Sequence, residues 1–255
     1  MSQPRYRIYA TLLDGFQDYL DCDKNYAKYH ADPDSPYCPS YVYYEETKLN
    51  ELIDRINRVP IQSEAADRGT AFNEVVDCLI SDRLSAKCPF YEDKSFGYFV
   101  ARYKGRDFAF KERICREFAN YYQGAQSQVY TSAPLMTQFG EVELYGYIDE
   151  LMPFSVHDIK TTKHYEAFKF RNHWQHRVYP YCLQYNGNKV QYFEYNVTDF
   201  NDTFTERYDC HPETDIPALR DHVEWFIRFL ESYRDRITDK KIFNEAGNRA
   251  GNAVI

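Results

Sequence analysis

Hydrophobic period is the strongest constraint on this chain, because it changes in mid-sequence from helical spacing to strict alternation. In the N-terminal half, Tyr9–Leu20 and Leu49–Ile56 space their apolar residues for short helices. Glu64–Leu84 carries a longer helical stripe through Phe72, Val75, Val76, Leu79 and Ile80, and Asp107–Tyr122 another through Phe110, Ile114, Phe118 and Tyr121. From Gln128 the pattern alternates: Gln128–Gln138, a turn at Phe139-Gly140, Glu141–Leu151, a break at Met152-Pro153, then Phe154–Lys160. Glu166–Gln184 is helical in composition, Asn186-Gly187-Asn188 is a turn, and Val190–Val197 is one more strand. Strands in succession followed by a helical crossover imply an α/β fold, a mixed central sheet flanked by helices.

Three regions follow. Residues 1–63 form a mostly helical N-terminal extension, with Asp32–Ser40 a loop because it holds Pro33, Pro36 and Pro39. Residues 64–243 form the core and end in a packing helix with Leu219, Val223, Phe226, Leu230, Tyr233 and Ile237 on one stripe; Pro217 suits its first turn. Residues 244–255, rich in Gly and Asn, form a flexible tail.

Composition narrows the function classes. The seven cysteines are scattered with no C-x-x-C pair, which speaks against a disulfide framework or a compact thiolate metal site and points to a reducing cytoplasm. No apolar run reaches the roughly 18–20 residues of a membrane span, so no membrane role is expected. A net charge of −8 disfavours coating nucleic acid by bulk attraction. The charge is uneven, however. Asp14–Asp54 holds ten acids against three Lys/Arg, whereas Lys160–Arg177 holds five Lys/Arg against Glu166 alone, with three histidines between them. Such a segment suits an anionic substrate.

Period two puts Val156, Asp158 and Lys160 on one face of their strand, and Glu143, Tyr145, Tyr147 and Asp149 on one face of the preceding strand. If the two strands are neighbours, Asp149, Asp158 and Lys160 converge. Two carboxylates can hold a hard divalent cation, and an adjacent ammonium can position water and screen phosphate charge, so the set suffices for metal-assisted phosphodiester hydrolysis. Gln175 and Tyr179 share a helix face and can reach back over the strand end, although Pro180 perturbs that helix. Glu74, on the earlier helix after Gly69, Thr70 and Asn73, offers a further acid.

The run YGYIDEL…FSVHDIKTT…WQHRVYPYCLQ resembles the PD-(D/E)XK nuclease superfamily, in particular its RecB-like and phage-exonuclease-like branches. The matching elements are Gly146–Asp149, Asp158–Thr162, and Gln175 with Tyr179; RGTAFNEVV is similar to the first-helix motif, with Asn73 where many members carry histidine. The similarity covers about Arg68–Val197. It implies a restriction-endonuclease-like sheet and a Mg²⁺- or Mn²⁺-dependent deoxyribonuclease, exonucleolytic and tied to recombination or repair, of phage or prophage type. Asp149, Asp158, the Ile159 carbonyl and Glu74 would then hold the metal and Lys160 the hydrolytic water. Gln175 and Tyr179 would steady the phosphate or the lysine, and Lys163, Lys169, Arg171 and Arg177 would track the nucleic-acid backbone. A recombination or helicase partner, or a homo-oligomer, accompanies such enzymes. Some relatives carry an iron–sulfur cluster, but no cysteine triplet follows Cys210, so none is expected. RNA stays open as a substrate, and the alternative is a non-catalytic nucleic-acid-binding or assembly subunit that keeps the fold.

Overall fold

The computed structural model describes residues 4–30, 38–60 and 62–244. Most of the proline-rich loop and nearly all of the C-terminal tail expected from the sequence lie outside them.

The chain opens with β1 (Tyr6–Tyr9), α1 (Ala10–Leu20), α2 (Cys22–Tyr29), α3 (Tyr41–Ile56) and α4 (Glu64–Ser81). Three short strands follow, β2 (Phe90–Asp93), β3 (Tyr98–Tyr103) and β4 (Arg106–Lys111), then α5 (Glu112–Tyr121). The long strands β5 (Gln126–Thr137) and β6 (Gly140–Met152) lead to β7 (Ser155–Thr161), α6 (Gln175–Tyr185), β8 (Tyr192–Thr198), β9 (Thr203–Asp209) and α7 (Pro212–Ser232). Local chemistry sets several boundaries. Ser40 and Ser63 cap α3 and α4, each hydroxyl accepting a backbone N–H of the first turn at 3.3 Å. Pro212 fits the first turn of α7, where its missing donor has no helical partner to lose.

The main sheet runs β1-β6-β7-β8-β9, with β5 paired to β6 on its other edge. β1 is parallel to β6 and β7 parallel to β8; the other ladders are antiparallel. The mixed α/β sheet flanked by helices is therefore as the alternation implied. A second, three-stranded sheet, β2-β3-β4, packs under α4 and α5.

Two apolar clusters sit on the two faces. One joins Leu144, Ile148, Val156, Val178, Phe193 and Phe226 under α6 and α7; the other joins Phe72, Val75, Phe99, Phe110, Phe118 and Ile159 under α4 and α5. β7 feeds both, Val156 to the first and Ile159 to the second, which is the strand alternation made physical.

Several expectations need correction. The N-terminal extension is not only helical, since Tyr6–Tyr9 is a strand in register with Val142–Tyr145 of the central sheet. Asp107–Tyr122 is not one helix: Phe108 and Phe110 alternate in β4, and helical spacing begins at Ile114. The hairpins of the small sheet turn at Gly97 and Gly105, both at positive φ. Residues 166–174 are turns rather than helix, with Phe168 at φ 62°. Pro180 lies inside α6 without ending it, and α7 starts at Pro212, placing Pro217 in its interior.

Candidate active site at a fork in the sheet

One edge of β6 changes partner. It is in register with β1 up to the pair Tyr9 and Tyr145, and with β7 only from the pair Glu150 and His157. Gly146–Asp149 is left between them, at the place where α1 begins. Continuing the β6–β7 register puts Asp149 across from Asp158, but the strands part there. The Asp149 Oδ2 accepts the N–H of Ile159 at 2.9 Å in place of a ladder bond. On the other edge the β5 ladder is interrupted at the same level, where Gln128 takes φ 56° between the Ser127–Glu150 and Val129–Ile148 pairs. A split between strands is a natural crevice, because its walls carry side chains and its floor carries unpaired backbone.

Asp158 is 4% exposed. Its Oδ1 accepts from Gln175 Nε2 at 2.9 Å, and its Oδ2 faces Lys160 Nζ at 2.7 Å as an ion pair without hydrogen-bond geometry. Lys160 Nζ donates to Gln175 Oε1 at 2.7 Å, and Gln175 Nε2 reaches the Tyr179 hydroxyl at 3.3 Å. The Gln175 amide therefore has a single consistent orientation, oxygen to the ammonium and nitrogen to the carboxylate and phenol. Burial works against the Lys160 ammonium, but Asp158 and Asp14 outweigh it and hold its pKa above the usual value. Burial first, then the Asp158 charge, pushes the Asp149 carboxyl up to about 7. Burial also raises Tyr179, which stays a neutral phenol. Tyr179 lies against Gly146 so closely that a Cβ there would come within 2.6 Å of its ring, so only glycine accommodates the tyrosine.

α4 approaches β7 through Gly69, where a Cβ would meet Thr161 Oγ1 at 2.8 Å. That contact decides which face of the helix looks at the sheet: Gly69, Asn73 and Asp77, one turn apart each. Asp77 lies beside Glu150, whose carboxylate accepts from Ser127 Oγ at 2.9 and 3.0 Å. Burial pushes Asp77 up to about 6 and Glu150 up to about 8, so the two acids share protons near neutrality. Asn73 Oδ1 is buried with no hydrogen-bond partner.

Glu74 is the clear correction. It is 5% exposed but turned from the fork, bonded to Arg83 Nη1 at 2.9 Å and Lys87 Nζ at 2.7 Å. Neighbouring helical residues point about 100° apart; once Gly69 faces the strand, Asn73 and Asp77 follow it and Glu74 cannot.

The basic residues divide. Lys163 lines a 230 Å³ cleft with Arg68, Thr161, Thr162 and Phe200, immediately beyond Lys160 on the chain. Lys169 is tied down, donating to Thr162 Oγ1 and the His164 carbonyl at 2.6 and 2.9 Å. Arg171 and Arg177 line a separate cleft with Asp21 and Trp174, and Arg177 pairs with Asp215 at 3.3 Å. The single basic track read from the sequence is therefore two groups, of which Lys163 is beside the fork.

Asp14 is a further participant without a sequence motif. It accepts the Trp174 N–H and lies 3.5 Å from His173 Nδ1, fixing the turn that starts α6 and thereby Gln175. Burial opposes its charge, yet His173 and Lys160 hold its pKa below the usual value.

The oxygen donors at the fork are hard and suit a magnesium-like cation: Asp149 and Asp158, with the Ile159 carbonyl on the intervening backbone. Asn73 Oδ1, buried and without a hydrogen-bond partner, is the sort of acceptor that a water of a bound cation completes, whereas Asp158 Oδ2 already faces Lys160 Nζ at 2.7 Å. Among the described residues no three His, Cys, Asp or Glu groups form a ready-made ligand cluster.

No family model and no curated protein matches the sequence. Among solved structures, one described as "Crystal structure of SSO0001" aligns with a TM-score of 0.45 at 10% identity, over 88% of this chain and 79% of that chain.

Proposed function

We propose that this chain is a divalent-metal-dependent nuclease of the PD-(D/E)XK type, hydrolysing phosphodiester bonds in DNA. The observation that supports it is the fork itself, with two opposed aspartates, the Ile159 N–H on one and Lys160 on the other. Asp149, Asp158 and the Ile159 carbonyl would hold the cation, which when bound supplies Lewis acidity toward the phosphate and acidifies a water. Lys160, held charged by Asp158, orients that water and offsets charge growing on the phosphate oxygens. Gln175 fixes both Asp158 and Lys160 through one amide. Arg68 and Lys163 have no carboxylate partner among the described residues and can grip a phosphate beyond the fork.

The sequence resemblance extends the reading to exonucleolytic work on DNA ends in recombination or repair. A second reading, a non-catalytic binding subunit, draws on Glu74 being engaged elsewhere and on the Asp158–Lys160 ion pair. Linear and circular DNA incubated with Mg²⁺, Mn²⁺ or EDTA separates them. Loss of the linear form with sparing of circles supports the exonuclease; binding without hydrolysis under either cation supports the second reading.

A further inference from the structure

The fork opens on one side into a 340 Å³ cleft lined by Tyr9, Arg58, Tyr145, Gly146, Tyr147 and Tyr179. Tyr147 is 60% exposed and Tyr130, its partner across the β5–β6 ladder, 46%. Their rings stand 5.3 Å apart; Tyr130 continues to Tyr145 at 6.4 Å and Tyr145 to Tyr9 at 6.2 Å. This is one continuous phenolic surface across three adjacent strands. Apolar packing does not account for it, because the outer rings face solvent and bury little.

We infer that this tyrosine row, continuous with the fork, is a track for a single strand of nucleic acid whose bases stack on Tyr130, Tyr145 and Tyr147. The inference deepens the nuclease reading and rests on it for the direction of the strand. Three observations favour this occupant. First, Tyr145 and Tyr147 are two residues apart on one strand, roughly 7 Å, or two stacking steps of about 3.4 Å. Second, the cleft contains Tyr179, which the Gln175 amide links to Lys160, so a strand lying on the row leads its phosphate to the aspartates. Third, Arg68 and Lys163, which make no ion pair among the described residues, are beyond Lys160 in a cleft that Glu64 also lines, whereas Arg7 and Arg58 beside the tyrosines are neutralised by Glu143 and Asp239. Bases are thus met by rings on one side of the fork and phosphates by Lys163 and by Arg68, which rests on the Phe200 ring at 3.8 Å, on the other. A duplex keeps its internal base faces stacked on each other and offers the row only its two terminal pairs.

The test measures binding of a fluorescent twelve-nucleotide single-stranded DNA and of a blunt duplex in EDTA, so that hydrolysis plays no part. Tyr147→Ala and Tyr130→Ala should each weaken single-strand binding about 5- to 150-fold, the range of one lost base–ring stack. Tyr147→Trp should restore it, and Tyr91→Ala, an equally exposed tyrosine on the small sheet, should leave it unchanged. Unchanged melting temperatures separate stacking from folding. Single-strand binding indifferent to both alanines, or a duplex bound equally well, overturns the track. Cleavage in Mg²⁺ is scored separately: hydrolysis with no tyrosine effect leaves the nuclease reading standing and removes the track, while tyrosine-dependent binding without hydrolysis does the reverse.

Discussion

Asp149 stands across from Asp158 where β6 and β7 part, and its carboxylate takes the Ile159 N–H at 2.9 Å that a regular ladder would give to backbone. One side chain thus holds the fork open at its apex and supplies an oxygen to it.

The first consequence concerns pH. Burial and then Asp158 raise the Asp149 carboxyl from 3.8 to about 7. A cation and a proton compete for the same oxygens, so apparent Mg²⁺ affinity should climb toward pH 7, by up to roughly tenfold per unit, and level off above it. Cation-free stability moves the other way. Between about pH 4 and 7 the native state holds a proton that the unfolded chain has lost, so unfolding free energy falls as pH rises through that window. Calorimetric Mg²⁺ titration at pH 6, 7 and 8 checks the first part; affinity that is flat with pH removes Asp149 from the cation site.

Lys160→Ala should lower cleavage by about 10²- to 10⁴-fold, the range for one positioned proton-handling or charge-stabilising group. Mg²⁺ should bind at least as tightly, because Asp158 loses its competing ammonium. Single-turnover cleavage and Mg²⁺ titration on the same preparation test it. Wild-type cleavage in the variant takes Lys160 out of the mechanism.

Glu74→Gln separates the expected metal ligand from the observed structural one. The carboxylate is held by Arg83 and Lys87, and burial opposes its charge but these cations keep its pKa below the usual value. Its contribution is therefore present at neutral pH and fades as pH falls through the carboxylate range. The variant should lose about 1–3 kcal/mol at neutral pH, with the difference from wild type shrinking in acid, while Mg²⁺ affinity stays unchanged. A tenfold or greater loss of Mg²⁺ affinity in folded protein would return Glu74 to the metal shell.

Part of the site is legible in the sequence. Asp158 and Lys160 were legible because period two over Val156–Lys160 survives in β7, although Phe154 falls in the turn before it at φ 68°, and Gln175 and Tyr179 because they are four apart on a helix that Pro180 does not break. Helix α4 was legible as a helix, but not its rotation. Which of Asn73, Glu74 or Asp77 looks at the sheet depends on Gly69 meeting Thr161, a contact across 92 residues of sequence. Asp14 was hidden for the same reason, since its partners His173 and Trp174 come from the far half of the chain. β1 to β4 are four to six residues long, too short for their alternation to stand out from turns.

Gly146→Ala tests the floor of the fork. The added Cβ would fall 2.6 Å from the Tyr179 ring, far inside van der Waals contact, and the ring is 3% exposed with little room to retreat. Overpacking of this kind costs about 1–3 kcal/mol. The functional cost is separate. Moving Tyr179 disturbs its contact with Gln175 Nε2, and Gln175 is the link between Asp158 and Lys160. Cleavage per folded molecule should therefore drop while Mg²⁺ affinity, which the proposed site assigns to the aspartates, holds. Gly146→Ala combined with Tyr179→Phe removes the hydroxyl but leaves most of the clash, so stability should stay low. Gly146→Ala with Tyr179→Leu relieves the clash, so stability should recover while cleavage does not. Recovery of both together would show that Tyr179 only fills space, and that Gln175 is held without it.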